Sequence, residues 1–347
     1  MELPVLEFKP SSSDYLPLPK FLQVEPVGQC NLRCRMCPIP FREDGPPFGP
    51  PAFMDFEVFK RLLDQFPGLE HLQLQGLGEP MMHPRFFDMI SYATHRGVTV
   101  STNTNLTLLN DRRAELCITS GLAELHASLD GATPETFEFI RVRAKFDRVL
   151  ANLRRLMTAK RLADSSTPRV RMVVVAMREN LHELPDLVRL ASQEGIESMF
   201  VQHLCHDFGE SSLPAKYRPM RTFVDEQSLL GEDQERVERY FAEARRVASE
   251  LEIDLRLPRT RPADHPPGTP GRERCNWPWE QAYVSYDGLA MPCCMIATPD
   301  RLNFGSMAEF GVDAIWNSEM YHAFRDRLSS ENPPDVCRSC SVYTRTF

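Results

Sequence analysis

Three cysteines lie close together near the start of the chain, in the segment QCNLRCRMCP. Cys30, Cys34 and Cys37 follow the spacing CxxxCxxC. A disulfide needs two thiols and a closed zinc site needs four ligands, so three thiols on one loop leave a metal site one ligand short. Because iron–sulfur clusters are held by cysteine thiolates, these thiols could bind three irons of a [4Fe–4S] cluster and leave the fourth iron open. The alternative is a structural zinc site that a remote histidine or cysteine completes.

A second group of cysteines lies near the end of the chain, at Cys275, Cys293, Cys294, Cys337 and Cys340. Clustered cysteines without an export signal indicate metal or redox chemistry rather than a disulfide framework. The N-terminus lacks a signal-peptide pattern, and the apolar runs are too short to span a bilayer. We therefore expect a cytoplasmic protein without a membrane segment. The net charge of −8 argues against a nucleic acid partner bound through its phosphates.

Strand-like and helix-like segments alternate over the first two thirds of the chain. At the start of one of the helices, Asn180 and Glu183 have the spacing of a capping box. Six segments read as strands because they alternate apolar and polar residues or are rich in β-branched residues. They lie at 21–28, 69–76, 98–105, 122–130, 170–177 and 198–205. Alternating strands and helices predict a parallel sheet, and six units fit a partial barrel rather than a full eight-stranded one. The predicted fold class is α/β, with a partial (β/α)6 TIM-type barrel.

Polar residues follow the carboxyl ends of most of these strands. Glu79 comes shortly after the second strand, Asn103 and Asp130 end the third and fourth, and Cys205 ends the sixth. Chemistry in barrels and open α/β sheets lies at that edge, so we expect these side chains and the first cysteine group to form one site.

The segment CNLRCRMCP resembles the signature of radical S-adenosyl-L-methionine (SAM) enzymes. QGLGEP is similar to the Gly-Gly-Glu motif of that family, except that Leu77 stands between its two glycines. STNTN and SLDGATPETFEFIR resemble the segments that follow the third and fourth strands. The resemblance implies that SAM binds the open iron of a [4Fe–4S] cluster. Reductive cleavage of SAM would give a 5′-deoxyadenosyl radical, which abstracts hydrogen from a substrate C–H bond.

The resemblance also implies a set of residues that bind the cofactor. Glu79 would accept a hydrogen bond from the SAM amino group, and Arg141, with Arg143 as the alternative, would pair with the SAM carboxylate. The complete set is Gly76, Gly78, Glu79, Asn103, Ser128 and Arg141. Cys30, Cys34 and Cys37 would hold the cluster.

The C-terminal cysteines resemble the auxiliary-cluster domain, called SPASM or twitch, that many radical SAM enzymes carry. Cys275, Gly288 and Cys293 follow its Cys-x(9–15)-Gly-x4-Cys pattern, and the segment CRSC supplies Cys337 and Cys340. This resemblance implies one closed auxiliary [4Fe–4S] cluster, with Cys294 as the alternative to Cys293 and a zinc ribbon as the alternative metal site. The expected domains are 1–20, an N-terminal extension; 21–222, the radical SAM partial barrel; 223–270, a helical linker with a Pro/Arg-rich loop; and 271–347, the SPASM/twitch-like auxiliary domain.

The sequence is compatible with several reaction types. We expect an oxidative, dehydrogenase-type modification of a small molecule, because the radical motif starts at Cys30 and leaves little room upstream for a peptide-recognition domain. The alternatives are an epimerase with Cys205 as hydrogen donor, a maturase of a ribosomally made peptide and, more remotely, a zinc-stabilised binding module. The expected electron donor is a flavodoxin or ferredoxin. The basic segment around Arg154 and Arg155 could be its docking surface, and the alternative is a solvated outer helix face.

Overall fold

A computed structural model describes residues 15–42, 52–204, 208–296 and 298–347. Within these ranges, nine strands form one sheet in the order β7-β6-β5-β4-β3-β2-β1-β8-β9. They are β1 Phe21–Val24, β2 His71–Leu74, β3 Thr99–Thr104, β4 Glu124–Ser128, β5 Arg169–Ala176, β6 Ser198–His203, β7 Asp254–Arg256, β8 Gln281–Val284 and β9 Ala290–Met291. Neighbouring strands from β7 to β8 are parallel, and β9 is antiparallel to β8.

The α/β fold class with a largely parallel, incompletely closed sheet is confirmed. All six predicted strands are present as β1–β6. Five of them are slightly shorter than their sequence patterns, and β5 has the predicted length but begins and ends one residue earlier. The sequence missed β7, which has only three residues and no buried position to mark it. It also missed that β8, from the cysteine-rich C-terminal segment, pairs with β1 and so extends the barrel sheet.

Helices connect the strands and cover one face of the sheet. They are α1 Phe56–Asp64, α2 Phe86–Thr94, α3 Asp111–Thr119, α4 Pro134–Ile140, α5 Phe146–Leu162, α6 Leu184–Gln193, α7 Arg218–Gln227, α8 Gln234–Glu250, α9 Gly271–Arg274, α10 Trp277–Glu280, α11 Met307–Phe310, α12 Val312–Trp316 and α13 Glu319–Ser329. No helix within the described ranges is long and apolar enough to cross a membrane.

Strand β4 illustrates how the pleat separates the core from the site. Leu125 and Ala127 are fully buried in the core, whereas His126 and Ser128 alternate with them and line cavities on the other face. Successive side chains of a strand point to opposite faces, so the inward-facing residues of the parallel strands collect in the barrel. The fold therefore assembles its polar residues on the concave face of the sheet.

The predicted capping box at Asn180 and Glu183 is wrong. The Asn180 side chain donates to the Asp130 carbonyl oxygen at 2.8 Å instead of capping the helix. The Glu183 carboxylate accepts hydrogen bonds from the hydroxyls of Thr133 and Thr136 at 2.6 and 2.7 Å. Both side chains therefore hold the loop after β4, where Asp130 lies, because that loop offers buried polar groups that need partners.

We expect Glu183→Ala to lower the free energy of unfolding by about 1–3 kcal/mol, because it removes the acceptor of the Thr133 and Thr136 hydroxyls and of the Ala132 N–H. The apparent melting temperature of the anaerobic protein is the measurement. Asp186→Ala is the matched control, since this carboxylate is exposed on α6 and its ion pair with Arg189 lies at the surface. Equal melting temperatures for the two variants would contradict the assignment.

Candidate active site

The loop after β1 carries the first cysteine group. Cys30 and Cys34 are buried, Cys37 is partly buried, and all three line one cavity of about 200 Å³, here called the cysteine-loop cavity. The loop backbone is fixed from outside, because the Arg33 N–H donates to the Val142 carbonyl oxygen at 3.1 Å. The sequence thus folds three thiols around one space.

The surroundings of the three thiols favour their neutral form when no metal cation is bound. Burial raises the pKa of Cys30 and Cys34, and it raises the pKa of Cys37 to about 12. The Leu32 N–H donates to the Cys30 sulfur at 3.4 Å, and an Arg141 N–H donates to the Cys34 sulfur at 4.0 Å. Iron supplies the positive charge that keeps buried cysteines as thiolates. Three thiols facing one cavity therefore fit a [4Fe–4S] cluster with one iron free of protein ligands.

A site for a single metal ion requires a different arrangement of ligands from a site for an iron–sulfur cluster. Among the described residues, no three His, Cys, Asp or Glu side chains converge closely enough to hold one metal ion. A cluster does not require such convergence, because each thiolate binds a different iron.

Glu79 lies buried in the same cavity. Its carboxylate accepts hydrogen bonds from the Thr104 hydroxyl and the Asn105 N–H, both at 2.8 Å, and from the Met81 N–H at 3.2 Å. Burial raises the pKa of Glu79, and these three donors act in the opposite direction. A carboxylate has about four acceptor positions, so one stays available for a ligand in the cavity.

The two glycines of QGLGEP allow this loop to lie directly against the cysteine loop. A Cβ atom on Gly78 would stand 2.2 Å from the Val27 carbonyl oxygen and 2.6 Å from that of Gln29. A Cβ atom on Gly76 would stand 2.3 Å from Cγ of Glu25. Both positions therefore require glycine for close approach of the backbone, independently of any contact with a cofactor.

A buried ion pair that the sequence reasoning missed closes the cysteine loop. The Arg42 guanidinium contacts the Glu25 carboxylate through two contacts, at 3.0 and 3.3 Å, and the two side chains are 2% and 0% exposed. Glu25 also accepts a hydrogen bond from the Leu77 N–H at 3.2 Å. An acid directly after a buried strand was a signal for Glu25. Its partner could not be identified among 40 Lys and Arg residues without the fold.

Arg141 faces the cysteine-loop cavity, whereas Arg143 is not among the residues that line it. The Arg141 Nε atom lies 2.7 Å from the Asp130 carboxylate, which is fully buried and also accepts from the Val175 N–H at 2.8 Å. Burial raises the pKa of Asp130, and the Arg141 charge opposes this effect. Arg141 is thus held in place by a carboxylate and directed towards Cys34.

A second cavity, of about 340 Å³, lies inside the barrel and is here called the barrel cavity. It shares Gln75, Gly76, Leu77 and Asn103 with the cysteine-loop cavity, so the two spaces meet. Asn103 lines both cavities, and its side-chain oxygen lies 2.7 Å from His126 Nδ1. Of the two cavities, Ser128 lines the cysteine-loop cavity only.

The C-terminal cysteines divide between two spaces. Cys275, Cys293, Cys337 and Cys340 line a small apolar cavity, here called the auxiliary cavity. Cys294 instead lines the barrel cavity. Burial raises the pKa of Cys275 to about 12. Four thiols around one space are a donor set that fits a closed iron–sulfur cluster.

The remaining predictions concern Cys205 and the two arginines of α5. Cys205 lies outside the described residues. On α5, Arg154 forms an ion pair with Glu194 and Arg155 forms one with Asp111, both at 2.5 Å. The proposed docking of an electron donor on these arginines stays a prediction.

The chain is similar to known proteins in sequence and in fold. Residues 24–191 match the radical SAM superfamily, and residues 275–341 match an iron–sulfur cluster-binding domain called SPASM. The PqqA peptide cyclase of Methylorubrum populi is 25% identical over 334 residues, which are 95% of this chain and 80% of that protein. The solved structure of Streptococcus suis SuiB bound to S-adenosylmethionine has a similar fold, with a TM-score of 0.66 and 17% identity over 95% of this chain and 72% of that one.

A further relative matches over a shorter range. The tungsten-containing aldehyde ferredoxin oxidoreductase cofactor-modifying protein of Pyrococcus furiosus is 31% identical over 189 residues. The match includes 53% of this chain and spans about half, 51%, of that relative. The two domain matches include all three cysteines of the first group and all five of the second. The chain therefore belongs to the radical SAM superfamily, with the [4Fe–4S] cluster and SAM that this domain binds, and it carries a C-terminal SPASM domain for auxiliary iron–sulfur chemistry.

Proposed function

We propose that this radical SAM enzyme modifies a peptide by hydrogen abstraction in the barrel cavity. The observation that carries the proposal is the junction of the two cavities at Gln75, Gly76, Leu77 and Asn103, because a substrate in the barrel can then reach the radical source. The relative that matches 95% of this chain is named for a peptide. This supports a peptide over the small molecule expected from the sequence.

The residues of the cysteine-loop cavity would divide the work of holding the cofactors. When bound, the cluster and SAM supply a carbon-centred radical that takes hydrogen from a substrate C–H bond. Cys30, Cys34 and Cys37 hold the cluster, and Glu79 uses its remaining acceptor position for the SAM ammonium group. Arg141, already fixed by its ion pair, offers its charge to the SAM carboxylate.

Asn103 and Ser128 would provide hydrogen bonds to the ribose hydroxyls, since both line the cysteine-loop cavity. His126 helps to position Asn103, since its Nδ1 atom lies 2.7 Å from the Asn103 side-chain oxygen. Burial lowers the pKa of His126, and the nearby Glu124 carboxylate opposes this shift.

The barrel cavity offers groups that suit a peptide backbone. Glutamine side chains from four strands or strand ends face it, and each amide can both donate and accept hydrogen bonds. They are Gln23, Gln73, Gln75, Gln202 and Gln281. The rings of Phe200 and Trp277 add apolar walls. The amides suit the polar groups of a peptide backbone, and the rings suit apolar peptide side chains.

The direct test is SAM cleavage by the anaerobic protein after reduction, followed by incubation with peptides encoded beside the gene. We expect 5′-deoxyadenosine from the wild type and its loss in Cys34→Ala, because one cluster ligand is gone. Cys117→Ala is the matched control, since this cysteine is buried in α3, away from the three cavities. Mass spectrometry of the peptides then distinguishes loss of two hydrogens, which indicates an oxidative reaction, from solvent deuterium uptake, which indicates epimerisation. Turnover of small molecules with no change in any peptide would contradict the substrate class.

The Glu25–Arg42 ion pair generates a second prediction. In Arg42→Gln the Glu25 carboxylate stays buried and loses the Arg42 charge, which costs about 3–5 kcal/mol and loosens the cysteine loop. We expect less iron in the radical SAM site, with the auxiliary iron retained, and partial recovery in the double variant Glu25→Gln/Arg42→Gln, which buries no charge. Iron analysis and the electron paramagnetic resonance (EPR) signals of the reduced protein measure both.

Lys20→Gln is the matched control for that experiment. Lys20 and Glu70 form an ion pair beside the start of β1, but both side chains are more than half exposed. Breaking an exposed pair changes stability little, so the iron content should not change. Wild-type iron content in Arg42→Gln would show that the buried pair does not hold the loop.

A further inference from the structure

The guanidinium groups that line the barrel cavity belong to a protein whose net charge is −8. They are those of Arg171 on β5 and Arg256 on β7, and no Asp or Glu side chain of the described residues lines this cavity. A cavity lined by charges of one sign attracts ligands of the opposite sign. The barrel cavity therefore favours an anionic group on the molecule that binds there.

Arg171 is held in place without losing its charge. Its Nε atom donates to the Ser198 hydroxyl at 3.0 Å, and that hydroxyl donates to the Asp254 carboxylate at 3.3 Å. Arg171 forms no ion pair within the described part of the chain, whereas Arg169, two residues earlier on β5, forms one with Glu124. The two terminal nitrogens of Arg171 thus remain available, and they match the two oxygens of a carboxylate.

Arg256 offers a second positive group nearer to solvent. Its guanidinium carbon lies 4.8 Å from the centroid of the Phe200 ring, and Phe200 is its partner in register on β6. A ring face attracts a guanidinium group and leaves the N–H groups at its edge free to bind. Because Arg171 is only partly exposed and Arg256 is exposed, Arg171 is the inner and Arg256 the outer positive group.

The register of the sheet places Arg171 close to the radical source. Asn103 pairs with His126 and His126 pairs with Arg171, so these three residues form one row across β3, β4 and β5. Adjacent strands lie about 4.8 Å apart, which separates the backbones of Asn103 and Arg171 by about 10 Å. Asn103 lines both cavities, and one residue of an extended peptide spans about 3.5 Å. A carboxylate on Arg171 and the reacting C–H group can therefore belong to the same or to adjoining peptide residues.

Tyr283 supplies an independent observation that indicates a polar ligand. It lies on β8 and lines the same cavity. Its side chain is fully buried, yet its hydroxyl has no hydrogen-bond partner among the described residues. A buried hydroxyl without a partner is costly, so a ligand that brings a polar atom to it is stabilised. A peptide carries such an atom in each of its carbonyl groups.

We propose that the barrel cavity selects a peptide segment that carries a carboxylate, which Arg171 binds through its terminal nitrogens and Arg256 contacts from the rim. This inference rests on the proposed function and adds to it the chemical class of the segment that enters the barrel. Arg171 is then a specificity-determining residue. Asp and Glu side chains and the C-terminus of a peptide all offer a carboxylate, so the experiment distinguishes these sources.

The first experiment measures binding without turnover. Three synthetic peptides are titrated into the anaerobic holoprotein with SAM: acetyl-Ala-Ala-Glu-Ala-Ala-amide, its Gln analogue, and acetylated penta-alanine with a free C-terminal carboxylate. We expect the Glu peptide to bind about tenfold more tightly than the Gln analogue, because it makes charge-assisted hydrogen bonds. A similar gain for the free C-terminus instead would assign that carboxylate as the source. Equal dissociation constants, or no detectable binding of any peptide, would overturn the proposal.

Variants of the two β5 arginines show where the carboxylate binds. Arg171→Gln should abolish the preference for the acidic peptide, and Arg171→Lys should keep part of it, because the charge remains and the fork is lost. Arg169→Gln is the matched control, since Arg169 pairs with Glu124 and does not line the barrel cavity. A preference that survives in Arg171→Gln, or one that Arg169→Gln removes as well, would contradict the assignment.

The second experiment uses the peptide that the enzyme modifies. We expect Arg171→Gln to raise KM about 10- to 100-fold, with a smaller effect on kcat. Replacing the bound carboxylate of the peptide by an amide should raise the wild-type KM by the same factor and add nothing in Arg171→Gln. Additive effects would show that the two groups do not touch. If no peptide is modified, the proposed function fails, whereas the binding experiment still decides the carboxylate preference.

Discussion

The site depends first on the buried ion pair between Glu25 and Arg42. It joins the end of β1 to the end of the cysteine loop, and the Glu25 carboxylate also binds the backbone of the QGLGEP loop through Leu77. Burying two charges is expensive unless geometry and hydrogen bonds compensate, and here a two-point contact and a backbone donor do so. Because Gly76 lies against Glu25, the same pair fixes the position of both loops that enclose the cysteine-loop cavity.

The parallel topology explains why two cysteine groups, far apart in sequence, serve one cavity system. Strand β8 pairs with β1, so the segment that follows it carries Cys293 and Cys294 to the barrel wall. Cys293 then faces the auxiliary cavity and Cys294 the barrel cavity. One strand pairing thus joins the auxiliary domain to the space where substrate would bind.

Much of this organisation could be predicted from the sequence, because it depends on local patterns. The period-two alternation of β1–β6 and the spacing of the cysteines are local, and so are the two glycines of QGLGEP. The rest depends on tertiary partners. Nothing local distinguishes Arg42 from other arginines, β7 is too short to show a period, and Glu183 binds the loop after β4 instead of its own helix. The side of the chain on which Cys294 lies likewise follows from the β8 pairing.

The central claim is that the cysteine-loop cavity holds a cluster with an open iron for SAM, separate from a closed auxiliary cluster. EPR spectroscopy of the reduced protein with and without SAM tests it most directly. With about eight irons per chain, in two clusters of four, we expect SAM to change the EPR signal of one cluster and to leave the other unaltered. The signal that responds should be absent in a Cys30→Ala variant. Zinc in place of iron, or two signals that both ignore SAM, would contradict the account.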